Sequence, residues 1–243
     1  MAARRSPGRQ PAGTQHQTIA AMGTLTLVRH GQASFGSEDY DRLSELGQRQ
    51  CRRLGEHLCQ RGLRFEAVLT GRLKRHAQSY DALAEGLQQR PVPLVWPGLD
   101  EYDSEALVRA IHPEPLQRAS TPDQVREHFR LLRRALAAWM AGQTQPAGMP
   151  TWPQFQAGVV GALDHVRQQH QGEVLIVSSG GPIATAVGHV LGLAPERVIE
   201  LNLRIRNSAL TEFSFSSSRH LLISFNGIPH LETPEHTGWV THA

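Results

Sequence analysis

Arg29 and His30 are the residues with the clearest capacity for chemistry, and they directly follow the apolar run at residues 24–28. A neutral imidazole can attack a phosphoryl group and hold it as a phosphohistidine, which divides one difficult displacement into two easier ones. The transferred group carries negative charge on its oxygens, and guanidinium groups bind such oxygens bidentately. Arg29 and Arg75 could supply that charge without a metal ion. An Arg–His pair also occurs without any such role, so its setting has to be considered.

The first half of the chain predicts two strand–helix units that would position these residues. Residues 24–28 and 65–70 are short apolar runs typical of buried parallel strands. A helix follows each run, because apolar or small residues recur at spacings of three and four. The first helix has Leu43, Gly47, Cys51, Leu54 and Leu58 at these spacings, and the second has Leu73, Ala77, Tyr80, Leu83 and Leu87.

The second half predicts two helices, a buried strand and a final pair of strands. Helical spacing returns over residues 122–141 and 153–170, and residues 173–178 form the clearest buried strand. Two late runs, 209–215 and 221–225, alternate like the strands of an antiparallel or edge pair. In the first of the two helices, one face carries Val125, Phe129, Leu132, Leu136 and Trp139.

Strands that alternate with helices predict an α/β fold, a three-layer α/β/α sandwich with a mostly parallel sheet and one antiparallel edge strand. In such sheets, ligands bind at the carboxyl ends of the strands. Arg29 and His30 lie at one such end, and residues 178–181 lie at another. We therefore expect these two segments to contribute to one site.

The charge of the chain argues against nucleic acid as its main partner. The formal net charge is +3, but Arg4, Arg5 and Arg9 lie in a first segment with no acidic residue before Met22. Subtracting these three leaves a remainder of zero net charge. A nucleic-acid-binding protein would carry its basic residues on the folded domain instead.

Other features predict a cytoplasmic protein with one domain over residues 23–243. Residues 1–22 have the composition of a disordered tail without a secretory signal, and Met22 is a second candidate for the natural start. Cys51 and Cys59 form neither a metal pair nor a disulfide framework, as expected in a reducing compartment. Serine, glycine and histidine interrupt the apolar stretch at 174–194, so a strand and a helix explain it better than a membrane span.

Six segments, in order along the chain, resemble the sequence pattern of the histidine phosphatase (phosphoglycerate mutase-like) superfamily. The resemblance spans roughly residues 24–231, and the first segment is the most specific. The six segments are Leu-Val-Arg-His-Gly-Gln at 27–32, Leu-Ser-Glu-Leu-Gly-Gln at 43–48, Leu-Lys-Arg-His-Ala-Gln-Ser at 73–79, Leu-Asp-Glu at 99–101, Val-Ser-Ser-Gly-Gly-Pro-Ile at 177–183 and Asn-Gly-Ile-Pro-His-Leu at 226–231.

This resemblance implies a phosphoglycerate mutase-like fold and a role for each matching residue. His30 would be the nucleophile and Glu101 the proton donor, although Asp100, Asp103 and Glu105 lie close enough in the sequence to leave that choice open. The residues that would bind phosphate are Arg29, Gln32, Arg75 and Gly180, with Ser179 and His76 considered below.

The resemblance also implies a helical cap over about residues 103–149 and a small phosphorylated substrate. No cofactor is expected, and no metal ion, because the thirteen histidines include no His-Glu-x-x-His or other close ligand pair. We expect neither nucleic acid nor membrane as a partner. The sequence leaves the oligomeric state open, with a homodimer as one possibility.

Ser179 departs from the family pattern, which has its second active-site histidine at this position. A serine hydroxyl can supply the hydrogen bond but not the positive charge, and losing one preorganised donor costs about 10²–10³ in rate. His76, or the amides of Gly180 and Gly181 at a helix N-terminus, could compensate. For His76, the sequence alone favours the other interpretation, a partly exposed histidine on the first helical turn.

Three functions fit these residues. The leading hypothesis is a metal-independent phosphatase that hydrolyses a phosphomonoester through a phosphohistidine on His30. A phosphoglycerate mutase is the second, although the residues after Glu101 lack the His-Tyr-Gly stretch typical of those mutases. The third is a weakly active or inactive phosphate-binding protein, because Ser179 replaces the second histidine.

Overall fold

The computed structural model of the protein describes residues 22–34, 41–114 and 121–242. Apart from Met22, the predicted disordered tail therefore lies outside the described residues. Within these ranges, no helix is both long enough and apolar enough to cross a membrane. The apolar stretch at 174–194 instead forms the predicted strand and helix.

In the described residues, six strands form one sheet at the centre of the fold. In chain order they are β1 Gly23–Arg29, β2 Ala67–Thr70, β3 Leu94–Val95, β4 Glu173–Ser178, β5 Leu210–Phe215 and β6 His220–Gly227. Across the sheet the order is β3-β2-β4-β1-β5-β6. The first four strands run parallel, and β4 lies between β2 and β1.

The predicted three-layer α/β fold is confirmed, with one difference in the position of the antiparallel strand. That strand is β5, which pairs antiparallel with β1 and lies one place in from the edge. The hairpin after β5 adds β6 antiparallel to it, on the outside. The two late runs are thus the predicted antiparallel pair, but β6 forms the edge.

Seven α-helices in the described residues cover the two faces of the sheet. They are α1 Glu45–Gln60, α2 Lys74–Leu87, α3 Ser104–Ile111, α4 Pro122–Met140, α5 Trp152–Gln169, α6 Gly180–Leu191 and α7 Pro195–Asn202. Side-chain caps define several starts: Ser44 accepts from Gly47 N at α1, and Thr121 and Thr151 form capping boxes at α4 and α5.

The central strands are buried on both faces, which is why they read as continuous apolar runs. On β4, Val174 and Ile176 belong to the core under α3 to α7, whereas Leu175 and Val177 belong to the core under α1 and α2. Cys51 lies in the second core as a free thiol, and burial raises its pKa to about 11. Two packed faces hold the ends of β1 and β4 in fixed positions.

Helix α4 differs from the prediction in its N-terminal half. Leu132, Leu136 and Trp139 are buried as expected, but Val125 and Phe129 are 42% and 45% exposed. The apolar spacing continues along the helix beyond the part of α4 that reaches the core.

Candidate active site

The end of β1 fixes His30 through its own backbone. His30 N donates to Ser178 O on β4 (2.8 Å), and His30 O accepts from Asn207 Nδ2 (3.2 Å) and Ser208 N (3.2 Å). The side chain is only 4% exposed, and its Nδ1 lies 2.7 Å from Gly31 O. A carbonyl can only accept, so Nδ1 carries the proton. Nε2 of the neutral ring then has the free lone pair that a nucleophile needs.

The surroundings of His30 keep its ring neutral. Burial is the main cause that lowers the pKa of His30 well below its usual value. The positive charges of Arg29 and Arg75 lower this pKa further, with a smaller contribution from His76. At neutral pH the imidazole is therefore in the form that can attack phosphorus.

The loop after His30 packs tightly against α1. A Cβ on Gly31 would lie 2.3 Å from Gly47 O, so both glycines are needed at this crossing. Gly31 N donates to Ser79 Oγ (3.0 Å), and Gln32 Oε1 accepts from Ser44 Oγ (2.9 Å). The structure thus places the Gln32 side chain at the cap of α1, and its phosphate contact stays a prediction.

The guanidinium groups of Arg29 and Arg75 both belong to the candidate site. Arg29 Nη1 donates to Ile205 O and to His242 O (2.8 Å). Arg75 Nη1 lies 2.7 Å from Asp41 Oδ1, and the Arg75 side chain is only 11% exposed. Both groups also lower the pKa of Glu101. The two arginines therefore lie close enough to influence both His30 and Glu101.

Glu101 is half-buried against the start of α6. Its Oε2 accepts from Gly181 N (3.1 Å) and its Oε1 from Tyr102 N (3.2 Å). Burial raises the pKa of Glu101, against the hydrogen bonds and the arginines that lower it. A carboxyl group in this setting retains a proton more readily than an exposed one, as a general acid requires.

The other three acidic candidates have different surroundings. Asp100 accepts from the backbone and side chain of Arg72, at 2.5 and 2.7 Å. Asp103 caps α3, and Glu105 pairs with Arg109 on the surface. The sequence left four acidic residues as candidates for the proton donor. Of these, Glu101 is the one bound to the β4–α6 turn, which comprises residues 178–181.

His76 is buried, and the expectation of a partly exposed histidine was wrong. The His76 side chain is 0% exposed, and its Nε2 lies 2.7 Å from Ser179 Oγ, which is also fully buried. Its ring centroid is 5.9 Å from that of His30. Gly71 makes this burial possible, since a Cβ there would lie 2.3 Å from His76 Nδ1. Burial, aided by Arg75, lowers the pKa of His76 to about 3.

The two glycines at the start of α6 have different neighbours. Gly181 N donates to Glu101 and so holds the acid in place, and a contact of either amide with a bound anion stays a prediction. Gly180 lies beside Arg29: its Cβ, if present, would be 3.9 Å from Arg29 Nε and 2.7 Å from Asn202 Oδ1. Gly180 is thus at the part of the turn nearest a guanidinium group.

Asp41 and Asn207 belong to the site but were missed by sequence reasoning. Asp41 accepts from Lys74 N (2.8 Å) as well as from Arg75, and so ties the start of α2 to the segment before α1. Asn207 supports His30 from 177 positions away. No local pattern marks either residue, although Asp41 lies just before the recognisable segment at 43–48.

One aromatic side chain of the proposed cap region lies near the start of α6. Trp139 of that region lines a cleft together with Tyr102, Phe155 and Gly181, which lie outside it, and α4 packs on α3 and α7. Tyr102 OH accepts from Asn202 Nδ2 (2.6 Å). Whether residues 103–149 act as a cap stays a prediction. Within the described ranges, no group of three or more His, Cys, Asp or Glu side chains could hold a metal ion.

Comparison with known proteins gives matches of three kinds: a curated protein, solved structures and a family sequence model. A curated phosphoglycerate mutase from Candida albicans is 33% identical over 79 residues, which cover 30% of this chain and 32% of the mutase. The aligned part thus spans about a third of that relative. Among solved structures, mycobacterial glucosyl-3-phosphoglycerate phosphatase matches with a TM-score of 0.59 and 22% identity, covering 84% of this chain and 99% of the other.

A phosphoserine phosphatase variant from Entamoeba histolytica matches with a TM-score of 0.58 and 18% identity, covering 86% of this chain and 99% of that one. At these identities the structural matches show a shared fold. The sequence model of the histidine phosphatase superfamily (branch 1) matches residues 25–227, which contain all the site residues described above. The chain therefore belongs to the histidine phosphatase superfamily.

Proposed function

We propose that this protein is a metal-independent phosphatase that hydrolyses a small phosphomonoester through a phosphohistidine on His30. The observation that carries the proposal is the state of His30. Its Nδ1 is bound to Gly31 O, which leaves Nε2 as the nucleophile, and the same two arginines lower the pKa of both His30 and the half-buried acid Glu101. A site for phosphate binding alone would need neither a nucleophile nor a proton donor.

In the first step, His30 Nε2 attacks phosphorus and forms a P–N bond as the ester P–O bond breaks. Glu101 gives its proton to the departing oxygen, so the alcohol leaves neutral. In the second step, the Glu101 carboxylate takes a proton from water, whose oxygen attacks phosphorus as the P–N bond breaks. Inorganic phosphate leaves, and both side chains return to their starting states.

The remaining residues would bind the phosphoryl oxygens. Arg29 and Arg75 supply positive charge, and phosphate would compete with Asp41 for Arg75. The amide of Gly180 and the side chain of Ser179, both in the β4–α6 turn, would bind these oxygens as well. Ser179 is in turn in hydrogen-bond contact with His76. Gln32 is the remaining member, with its side chain at the cap of α1.

The names of similar proteins support this class of substrate without selecting one. They include a phosphatase of glucosyl-3-phosphoglycerate and a phosphoserine phosphatase, both of which act on phosphomonoesters. We accordingly propose a small phosphorylated metabolite as the partner and the cytoplasm as the location, with no role for nucleic acid or membrane.

A phosphoglycerate mutase is the second candidate, and the curated match favours it. It needs the phosphohistidine to return its phosphoryl group to an alcohol instead of to water. Conversion of 3-phosphoglycerate to 2-phosphoglycerate would establish this activity, and its absence beside phosphatase turnover would remove it. An inactive phosphate-binding protein is the third candidate, and it would bind phosphate without turnover.

The direct test is the hydrolysis of an aryl phosphate by wild-type protein and by His30→Ala, each with and without EDTA. We expect EDTA to have no effect and the substitution to abolish turnover. His128→Ala is the matched control, since His128 is exposed on α4, and it should retain full activity. Activity that survives in His30→Ala, or that EDTA abolishes, would refute the proposal.

A further inference from the structure

The β4–α6 turn contains two adjacent serines whose hydroxyl groups are engaged differently. Ser178 Oγ donates to Leu99 O (2.6 Å), so its proton is committed to a carbonyl that can only accept. Ser179 Oγ lies 2.7 Å from His76 Nε2, and either group could be the donor. In the described part of the chain, this is the one hydrogen bond of Ser179 Oγ.

The other nitrogen of His76 decides the direction of that bond. Nδ1 is buried beside Gly71 and has no hydrogen-bond partner among the described residues. With the proton on Nδ1, that buried donor would have no acceptor beside Gly71. With the proton on Nε2, the Ser179 hydroxyl proton has no acceptor among the described residues, but a bound phosphate could accept it. The neutral ring therefore carries its proton on Nε2 and donates it to Ser179 Oγ. The Ser179 hydroxyl proton must then point elsewhere.

The position of Ser179 indicates where that proton points. On one side, Ser179 is followed by Gly180, which lies beside Arg29. On the other side it contacts His76, whose ring lies 5.9 Å from that of His30. Ser179 thus has one neighbour close to the nucleophile and another close to a guanidinium group, the two groups between which the proposed mechanism places the phosphoryl oxygens.

We propose that His76 is a positioning residue that donates to Ser179 Oγ and so aims the Ser179 hydroxyl at a phosphoryl oxygen. This inference rests on the proposed function. The imidazole on α2 would orient a neutral donor at a position where the family pattern has a charged or chargeable one. A structural pair that only joins α2 to β4 would need no particular direction of the bond.

The direction of the hydrogen bond between His76 and Ser179 can be measured without substrate. In ¹⁵N-detected NMR of histidine side chains, we expect His76 of the full chain to be neutral, with its proton on Nε2, before and after the addition of inorganic phosphate. The Nε2 signal should shift when phosphate binds, because the hydroxyl that it contacts gains an acceptor. A proton on Nδ1 would overturn the inference whatever the enzyme does.

Substitutions distinguish a role of His76 in orienting the Ser179 hydroxyl from a role in packing alone. Gln places a side-chain amide near the position of Nε2, so His76→Gln should keep kcat/KM for an aryl phosphate within about tenfold of wild type. His76→Leu and Ser179→Ala should each lose about 10²-fold, mainly in kcat. The double variant should lose no more than either single variant, because both act through one hydroxyl.

Thermal unfolding and phosphate binding of each variant identify those that remain folded. Equal losses in folded His76→Gln and His76→Leu would show that the imidazole acts only by packing, and would overturn the inference. So would additive losses in the double variant. Failure of the proposed function looks different, because His30→Ala would then retain activity while the His76 signals could still have the expected form.

Discussion

The ends of β1 and β4 are neighbours in the sheet, with Arg29 paired in register to Ser178, but they hold their chemical groups in different ways. At the end of β1, the ring of His30 is held locally: His30 follows the strand, and the carbonyl of the next residue, Gly31, binds its Nδ1. At the end of β4, the side chain is the short Ser179, and an imidazole reaches it from α2.

This difference teaches that the two strand ends depend on different kinds of neighbours. At the β4 end, His76 packs against Ser179 from another helix, because Gly71 has no side chain that would displace the ring. At the β1 end, backbone atoms of Gly47 lie directly against Gly31. Substitutions at the end of β1 should therefore mainly lower the stability of the fold, whereas substitutions at the end of β4 should mainly lower the catalytic rate.

After the loss of turnover in His30→Ala, the largest effect should come from Glu101, the acid that the β4–α6 turn holds. Glu101→Gln keeps the shape of the side chain but removes the proton, so kcat/KM for an alkyl phosphate should fall about 10²–10⁴-fold. An aryl phosphate with an acidic leaving group needs less protonation and should lose much less. Steady-state kinetics with both substrates measures this, and equal losses would contradict the role of Glu101 as acid.

The pH dependence of the same variant provides the control. His30 is active when neutral and Glu101 when protonated, and burial lowers the pKa of the first and raises that of the second. The acid limb of kcat/KM should therefore lie below pH 6.5, the usual pKa of histidine. The advantage of wild type over Glu101→Gln should shrink as pH rises through the pKa of Glu101. An advantage that grows with pH would reverse the assignment.

A smaller effect should be a difference in the stability loss caused by substitutions at the two strand ends. In Gly31→Ala, the new Cβ would lie 2.3 Å from Gly47 O, a backbone atom, so we expect a loss of about 1–3 kcal/mol in the free energy of unfolding. In Gly181→Ala, it would meet Glu101 Oε1 at 2.1 Å, and a side chain can shift. Stability should fall less there, but the kinetics should resemble those of Glu101→Gln.

Denaturant unfolding and the two-substrate assay measure these outcomes together. Gly238→Ala is the control, because nothing lies within 4 Å of the added Cβ, and it should match wild type in both assays. If Gly181→Ala loses as much stability as Gly31→Ala and shows no preference between leaving groups, the contrast between the strand ends does not hold.

Much of the fold could be predicted because its signals are local. The apolar run at 173–178 gives β4 as observed, and Ser44 caps α1 where the spacing begins. Arg29 and His30 fall at the end of β1 for the same reason. The sheet order and the place of β5 depend on pairings between distant segments, which no local pattern contains.

The site could be predicted in part, and its least predictable feature is His76. The spacing of α2 alone does not show which side of its first turn is covered, and the burial of His76 depends on Gly71 in the preceding loop. The support of His30 by Asn207 depends on the return of the chain 177 residues later. The exposure of Val125 and Phe129 was equally unpredictable, because the apolar spacing does not show where along α4 the contact with the core begins.

The most direct test of the account is chemical detection of the phosphoryl group on His30. Because Glu101 also activates water in the second step, Glu101→Gln with an activated aryl phosphate should accumulate the phosphoenzyme. After an alkaline quench, mass spectrometry should find one phosphoryl group, labile to acid and located on the peptide that contains His30. A phosphoryl group on another residue, or turnover with no label on His30, would contradict the mechanism.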